Sequence, residues 1–149
     1  MRTLSVRSFM KGPKICLLVD DDPDDQEVFL TALSDVSSTA LCLVAPDGDR
    51  ALELLHNEET IPDYIFLDLN MPSMSGWQCL AKLKNDSSLK NIPVIMYSTS
   101  SNPREKEIAI ELGATGFVTK PTDFKVLTKI LETISTNLSA DLRKILKDI

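Results

Sequence analysis

The sequence is poor in the residues from which disulfide frameworks, zinc sites and histidine-based catalysis are built. Its 149 residues include three cysteines, one histidine and one tryptophan. Cys16, Cys42 and Cys79 are odd in number, widely spaced and set among apolar residues, so they indicate neither a disulfide framework nor a zinc site. We expect buried thiols in a reducing compartment.

Excess positive charge and long apolar runs are also missing. The net charge of -6 argues against a general nucleic-acid-binding face, which needs a basic surface. No stretch approaches the length of a membrane span, and the first residues lack the apolar run of a secretory signal. We therefore expect a cytoplasmic protein that binds neither nucleic acid nor membrane.

What the sequence does contain is a regular alternation of short apolar runs and amphipathic segments. The apolar runs predict strands at 15–19, 39–45, 63–67, 93–97 and 116–119. Between and after them, the apolar spacing predicts helices at 23–36, 49–57, 76–85, 103–112 and 123–134. It places Val28 and Phe29 on the apolar face of the first helix and Val126 on that of the fifth. Strict alternation favours an α/β fold with a doubly wound, five-stranded parallel sheet of order 2-1-3-4-5.

The chain length suits one main domain. We predict an N-terminal leader at 1–12, the domain itself at 13–137 and a C-terminal helical extension at 138–149. An apolar stripe from Leu138 to Ile149 continues the last helix or forms a sixth one. Its function is left open between packing on its own domain, a partner contact and a homodimer interface.

Polar residues stand where four of the predicted strands end. Asp20 and Asp21 follow strand one, Asp68 follows strand three, Ser98 follows strand four and Lys120 follows strand five. Because the carboxyl ends of parallel strands share one edge of a sheet, these side chains are predicted to line one cleft.

Crowded carboxylates bind a cation or take up protons, and oxygen ligands suit Mg²⁺. We predict Asp21 and Asp68 as direct ligands, with the Asn70 backbone carbonyl as a third and Asp20 acting through water. Phosphoryl transfer to a carboxylate needs charge neutralisation around the transferred group. Asp68 is then the nucleophile, Lys120 and Mg²⁺ neutralise charge, and Ser98 binds the phosphoryl group.

Four other charged or titratable residues are explained by local structure alone. Asp22, Asp24 and Asp25 are explained by capping of the first helix, with Asp22 as N-cap. His56, on the second helix, is interpreted as a solvated side chain. We predict no functional role for these three aspartates or for His56.

These motifs resemble the response-regulator receiver domains of two-component signalling. The matching segments are LLVDDDP at 17–23, LDLNMP at 67–72 with Gly76 beyond it, PVIMYS at 93–98, and Lys120-Pro121. The resemblance covers residues 13 to 137. Serine at 98 replaces the commoner threonine of the family, and phenylalanine stands at 117.

The resemblance implies a flavodoxin-like receiver that accepts a phosphoryl group from a phosphohistidine on a sensor histidine kinase or phosphotransfer protein. It implies self-catalysed phosphorylation and hydrolysis rather than turnover of a separate substrate. It also implies a cis Lys120-Pro121 bond, a coupled movement of Ser98 and Phe117, and a downstream protein partner at the face of helix four, strand five and helix five.

Three other functions would need residues that differ from those in this sequence, or would not need all of them. A haloacid-dehalogenase-type phosphohydrolase needs an acid two residues after its nucleophile, where this chain has Asn70. A flavodoxin-like binder of a flavin or nucleotide needs a phosphate-cradling loop after strand one, where aspartates would repel a phosphate. A purely constitutive interaction module would not need the full set of site residues.

Overall fold

The computed structural model describes residues 14–57, 61–138 and 141–147, so the predicted leader at 1–12 lies outside the described residues. Strands and helices alternate along the chain. The strands are β1 (Ile15–Val19), β2 (Leu41–Ala45), β3 (Tyr64–Asp68), β4 (Val94–Ser98) and β5 (Gly116–Thr119). The helices are α1 (Pro23–Val36), α2 (Gly48–His56), α3 (Gly76–Lys84), α4 (Pro103–Glu111), α5 (Phe124–Thr136) and α6 (Leu142–Leu146).

The strands form one parallel sheet of order β2-β1-β3-β4-β5, which confirms the predicted topology. Continuous apolar runs produce this sheet because central parallel strands are covered by helices on both faces. The runs in β3 and β4 are buried along their whole length, including their polar last residues, Asp68 and Ser98.

Successive strand residues pack into two separate cores. One core joins Leu17, Val19, Ile65, Leu67 and Met96 to α2, α3 and α4, and the other joins Cys16, Leu18, Phe66, Ile95 and Tyr97 to α1 and α5. Edge-to-face ring contacts hold Phe29 of α1 against Phe66 and Tyr97, at centroid distances of 5.0 and 5.9 Å. These contacts fix the rotation of α1 over the sheet.

That rotation overturns one prediction for α1. Val28 was expected on the apolar face of the helix, but it is 46% exposed, whereas Phe29, Ala32 and Leu33 are buried. Neighbouring helical residues point about 100° apart, so only one of Val28 and Phe29 can lie at the centre of the buried stripe. The larger Phe29 ring occupies that position.

Two polar site residues lie inside their strands rather than after them. Asp68 is the last residue of β3, opposite Tyr97, and Ser98 is the last residue of β4, opposite Thr119. The apolar runs alone predict strand ends one residue earlier, because a polar residue at the end of a buried strand lies outside the apolar run. β2 begins at Leu41 instead of residue 39.

The described part of the C-terminal stripe contains a separate short helix, α6 (Leu142–Leu146), that packs on its own domain. Leu142 and Leu146 are buried in the same core as α1 and α5. Gly116 in β5 makes room for Leu146, since a Cβ at Gly116 would lie 2.6 Å from the Leu146 Cδ1 atom. The described part of the extension therefore contributes to the fold of the domain.

Candidate metal and phosphoacceptor site

The carboxyl edge of the sheet brings the predicted polar residues together. Carboxylate oxygens of Asp20, Asp21 and Asp68 lie within 4.8 Å of one another. Asp20 is fully buried and Asp68 is 6% exposed, whereas Asp21 is exposed. The result is a compact acidic cluster, open to solvent on the Asp21 side.

Lys120 extends its ammonium group into this cluster. The Nζ atom lies 2.7 Å from Oδ2 of Asp25, 3.0 Å from Oδ2 of Asp20 and 3.5 Å from Oδ2 of Asp68. Burial opposes the charged form of Lys120, but hydrogen bonds with Asp25 and Asp20 outweigh burial and raise the lysine pKa. The ammonium group therefore stays charged beside the carboxylates.

The contact between Lys120 and Asp25 is the shortest of the three, and the sequence did not predict a role for Asp25 at the site. Asp22 is the N-cap of α1, as predicted, and its side chain accepts the backbone N–H groups of Asp24 and Asp25. The Asp25 carboxylate instead reaches the site. A signal was available: Asp25 lies four residues before the buried Phe29, so both face the sheet on one side of the helix.

The surroundings of Asp68 disfavour its ionised form. Burial raises the pKa of Asp68 to about 6, the neighbouring Lys120 charge lowers it, and the Asp20 charge raises it further. One Asp68 oxygen also accepts the backbone N–H of Asn70 at 3.3 Å. An ionised Asp68 is thus poorly neutralised at this edge of the sheet without another cation.

Ser98 is fully buried at the end of β4. Its hydroxyl oxygen accepts the backbone N–H of Ser100 at 3.1 Å, and its carbonyl oxygen accepts the backbone N–H of Lys120 at 2.6 Å. Ser98 therefore ties the loop after β4 to the end of β5.

The Lys120-Pro121 peptide bond is trans, because no peptide bond between described residues is cis. The cis bond implied by the resemblance is therefore wrong for this structure. The trans isomer is the intrinsically favoured one for an X-Pro bond. With it, the lysine side chain reaches the three carboxylates.

The loop after β3 depends on Gly76 and Ser75. A Cβ at Gly76 would clash with the carbonyl oxygen of Asp68 and lie 2.7 Å from the Cα of Leu69, so only glycine fits. Ser75 caps α3 and exchanges hydrogen bonds with Gln78 in a capping box. Met71 and Met74 belong to this loop and are nearly buried, so their side chains anchor the loop on the core.

The His56 side chain is 56% exposed, which confirms the prediction that it is solvated, but it also contacts an aspartate. Its Nε2 atom lies 2.9 Å from the Asp86 carboxylate and joins the end of α2 to the segment after α3. This hydrogen bond lowers the pKa of Asp86 to about 2. The pair is a surface contact between α2 and the turn that follows α3.

The donor set fits Mg²⁺. An octahedral magnesium ion with bonds of about 2.1 Å holds neighbouring ligand atoms about 3 Å apart and opposite ones about 4.2 Å apart. The three carboxylate oxygens already lie within 4.8 Å of one another, so small side-chain movements suffice. Hard carboxylate ligands and the high local negative charge select a hard divalent cation.

Comparison with known proteins places the chain in a family. The profile of the response regulator receiver domain matches residues 16–132. Response regulator Rcp1 of Synechocystis is 30% identical over 129 residues, which cover 83% of this chain and 88% of Rcp1. The chain belongs to the response regulator receiver domain family, as its motifs predicted.

Some relatives are much longer. The sensor histidine kinase CheAY of Helicobacter pylori is 30% identical over 118 residues, which cover 79% of this chain but only 14% of CheAY. Only a small part of CheAY is therefore matched.

Solved structures agree in fold. The phosphorylated cyanobacterial phytochrome response regulator RcpA superposes with a TM-score of 0.75 at 30% identity, covering 83% of this chain and 92% of RcpA. The Mn²⁺-bound form of Rcp1 superposes with a TM-score of 0.72. The chain is a two-component response regulator receiver, a class that is phosphorylated on an aspartate with Mg²⁺ as cofactor.

No helix within residues 14–57, 61–138 and 141–147 combines the length and the apolar character needed to cross a lipid bilayer.

Proposed function

We propose that Asp68 is the phosphoryl acceptor of this receiver. The observation that carries the proposal is the position of Asp68, at the end of a central strand, within the acidic cluster and 3.5 Å from the Lys120 ammonium. A carboxylate attacks phosphorus in its ionised form, and cationic groups offset the charge on the transferring oxygens. Lys120 supplies one such charge.

Asp20, Asp21, Asp68 and the backbone carbonyl of Asn70 are proposed to hold Mg²⁺, directly or through water. An ion held by these groups would supply positive charge that offsets the acidic cluster and the incoming phosphoryl oxygens. Asp20 is held in place for this role, because its Oδ1 accepts the Asp22 N–H at 2.9 Å and its backbone carbonyl accepts Gln26 Nε2 at 2.6 Å.

Ser98 and Phe117 are proposed to carry the response to the surface. Phe117 lies opposite Met96 in the β4–β5 ladder, and both pack in the core on the α4 side of the sheet. Ser98, two residues after Met96, points to the same face. A Ser98 hydroxyl that turns to the phosphoryl group changes the packing beside Phe117 and biases a two-state surface.

The surface formed by α4, β5 and α5 offers a docking groove for a downstream protein. A cavity of about 470 Å³ opens there and is lined by residues that include Phe117, Val126 and Ile130. Val126 was predicted to face the core, but it is 46% exposed at this groove. Its exposure beside the apolar residues Phe117 and Ile130 of the same groove supports a protein contact.

The donor is proposed to be a phosphohistidine on a sensor histidine kinase or a phosphotransfer protein. We propose no turnover of a separate substrate: the chain catalyses only its own phosphorylation and dephosphorylation. Cys16, Cys42 and Cys79 are free thiols, which supports a cytoplasmic location.

The test is labelling with a small phosphodonor. Acetyl phosphate and Mg²⁺ are added to the protein, and intact mass spectrometry counts phosphoryl groups. We expect one hydroxylamine-labile group, which is lost with a chelator and in Asp68→Asn, while Asp35→Asn, an exposed substitution on α1, labels normally. A group that persists in Asp68→Asn would refute the assignment.

A further inference from the structure

Asp25 and Lys120 form an ion pair that the receiver site does not need in order to bind a metal. The distance between Asp25 Oδ2 and Lys120 Nζ is 2.7 Å, against 3.5 Å between Asp68 Oδ2 and the same nitrogen. Asp25 is outside the three-carboxylate cluster. The lysine is thus held more closely by the first turn of α1 than by the candidate phosphoacceptor.

We propose that Asp25 is a positioning residue that competes with Asp68 for Lys120, so that phosphorylation requires the lysine to leave Asp25. This inference rests on the proposed function of Asp68. Asp25 then restrains phosphorylation, and the first turn of α1 loses an ion pair when the phosphoryl group arrives.

The charges and the burial favour such an exchange. A lysine ammonium has three N–H donors, and here each has a carboxylate within reach. Phosphoryl oxygens bear more negative charge than one carboxylate, so they attract the lysine more strongly. The Lys120 side chain is only 11% exposed and stays at the site, while the Asp25 side chain is 38% exposed and can be solvated when released.

The fold keeps both partners close enough for this exchange. Asp25 lies one helical turn before Phe29, and Asp68 lies two residues after Phe66, and the Phe29 and Phe66 rings pack edge to face at 5.0 Å. The first turn of α1 is therefore anchored beside the end of β3. Lys120 need only change its side-chain rotamer to shift from one carboxylate to the other.

The experiment compares Asp25→Asn with Asp24→Asn. Both substitutions remove one negative charge from the first turn of α1, but Asp24 is exposed and is not among the carboxylates that pair with Lys120. The rate of labelling by acetyl phosphate with Mg²⁺ is followed by intact mass, after circular dichroism confirms folding. We expect Asp25→Asn to label about two- to fivefold faster than Asp24→Asn, the range for a partly exposed ion pair.

Two further variants isolate the pair. Asp25→Glu keeps the charge and should return the rate towards that of the wild type. In a Lys120→Met background, adding Asp25→Asn should leave the residual labelling rate unchanged. Lys120→Met already removes the partner through which Asp25 is proposed to act, so this double-mutant cycle isolates the pair.

The outcomes separate this inference from the proposed function. Equal rates in Asp25→Asn and Asp24→Asn, or a slower rate in Asp25→Asn, overturn the competition while leaving Asp68 as acceptor. An effect of Asp25→Asn that persists without Lys120 also overturns it. A wild-type protein that takes no phosphoryl group overturns both the inference and the proposed function.

Discussion

The buried carboxylate of Asp68 should make the metal-free protein less stable than a variant that lacks this charge. The side chain is 9% exposed, and its surroundings raise the pKa to about 6 from the ordinary 3.8. The folded state therefore holds this proton more tightly than the unfolded chain. Between pH 4 and pH 6 stability falls as pH rises, and above pH 6 the whole penalty is present.

The size of the penalty follows from the pKa difference. A shift of about two pKa units corresponds to about 3 kcal/mol, at about 1.4 kcal/mol for each unit. Asp68→Asn removes the charge and keeps the shape of the side chain. At pH 7.5 in a chelator, we expect it to raise the free energy of unfolding by up to about 3 kcal/mol, or the Tm by about 6–12 °C.

The assay is thermal unfolding of wild type and Asp68→Asn from pH 4 to pH 8. The gain should be largest at pH 7.5 and should shrink to a small remainder near pH 4, where Asp68 is protonated in the folded wild type and is partly protonated in the unfolded chain. Added Mg²⁺ should stabilise the wild type more than the variant, because binding to the folded state adds to stability. Exposed Asp35→Asn is the control.

Two results would contradict a penalty from the Asp68 charge: an Asp68→Asn variant that is less stable than the wild type at pH 7.5, or a gain that does not change with pH. The first result would mean that Lys120 neutralises Asp68 fully, despite the 3.5 Å separation. The second would mean that the gain does not come from the charge of Asp68.

Three further predictions concern the frame around the site. Gly76→Ala should lower the free energy of unfolding in urea by about 1–3 kcal/mol, because its methyl group meets the backbone of Asp68 and Leu69; Gly48→Ala should cost less, because its methyl group meets only the Met74 side chain. Leu146→Ala should cost about 2–4 kcal/mol in the same assay if α6 is part of the fold, and no change would contradict the buried position of Leu146. Ser98→Ala should leave Asp68 able to accept a phosphoryl group but reduce the response of the Phe117 face, read as a smaller phosphorylation-dependent change in amide NMR shifts; Ser98→Thr, which keeps the hydroxyl, should restore that response, and a full response in Ser98→Ala would exclude the proposed coupling.

Much of this molecule could be predicted from local pattern. Apolar runs followed by amphipathic segments indicated the strands and helices, and Asp22-Pro23 correctly marked the start of α1. The grouping of Asp20, Asp21 and Asp68 followed from topology, since the ends of parallel strands share an edge. These conclusions required only the assignment of each residue to a strand or a helix.

Other features depended on how the elements pack. The Asp25–Lys120 pair joins residues 95 positions apart, and it exists because Phe29 sets the rotation of α1 over the sheet. The same rotation exposes Val28. Periodicity shows that a helix has a buried face, but it indicates only approximately which residue lies at the centre of that face. Packing against a particular neighbour decides that residue, and with it which charged side chain reaches the site.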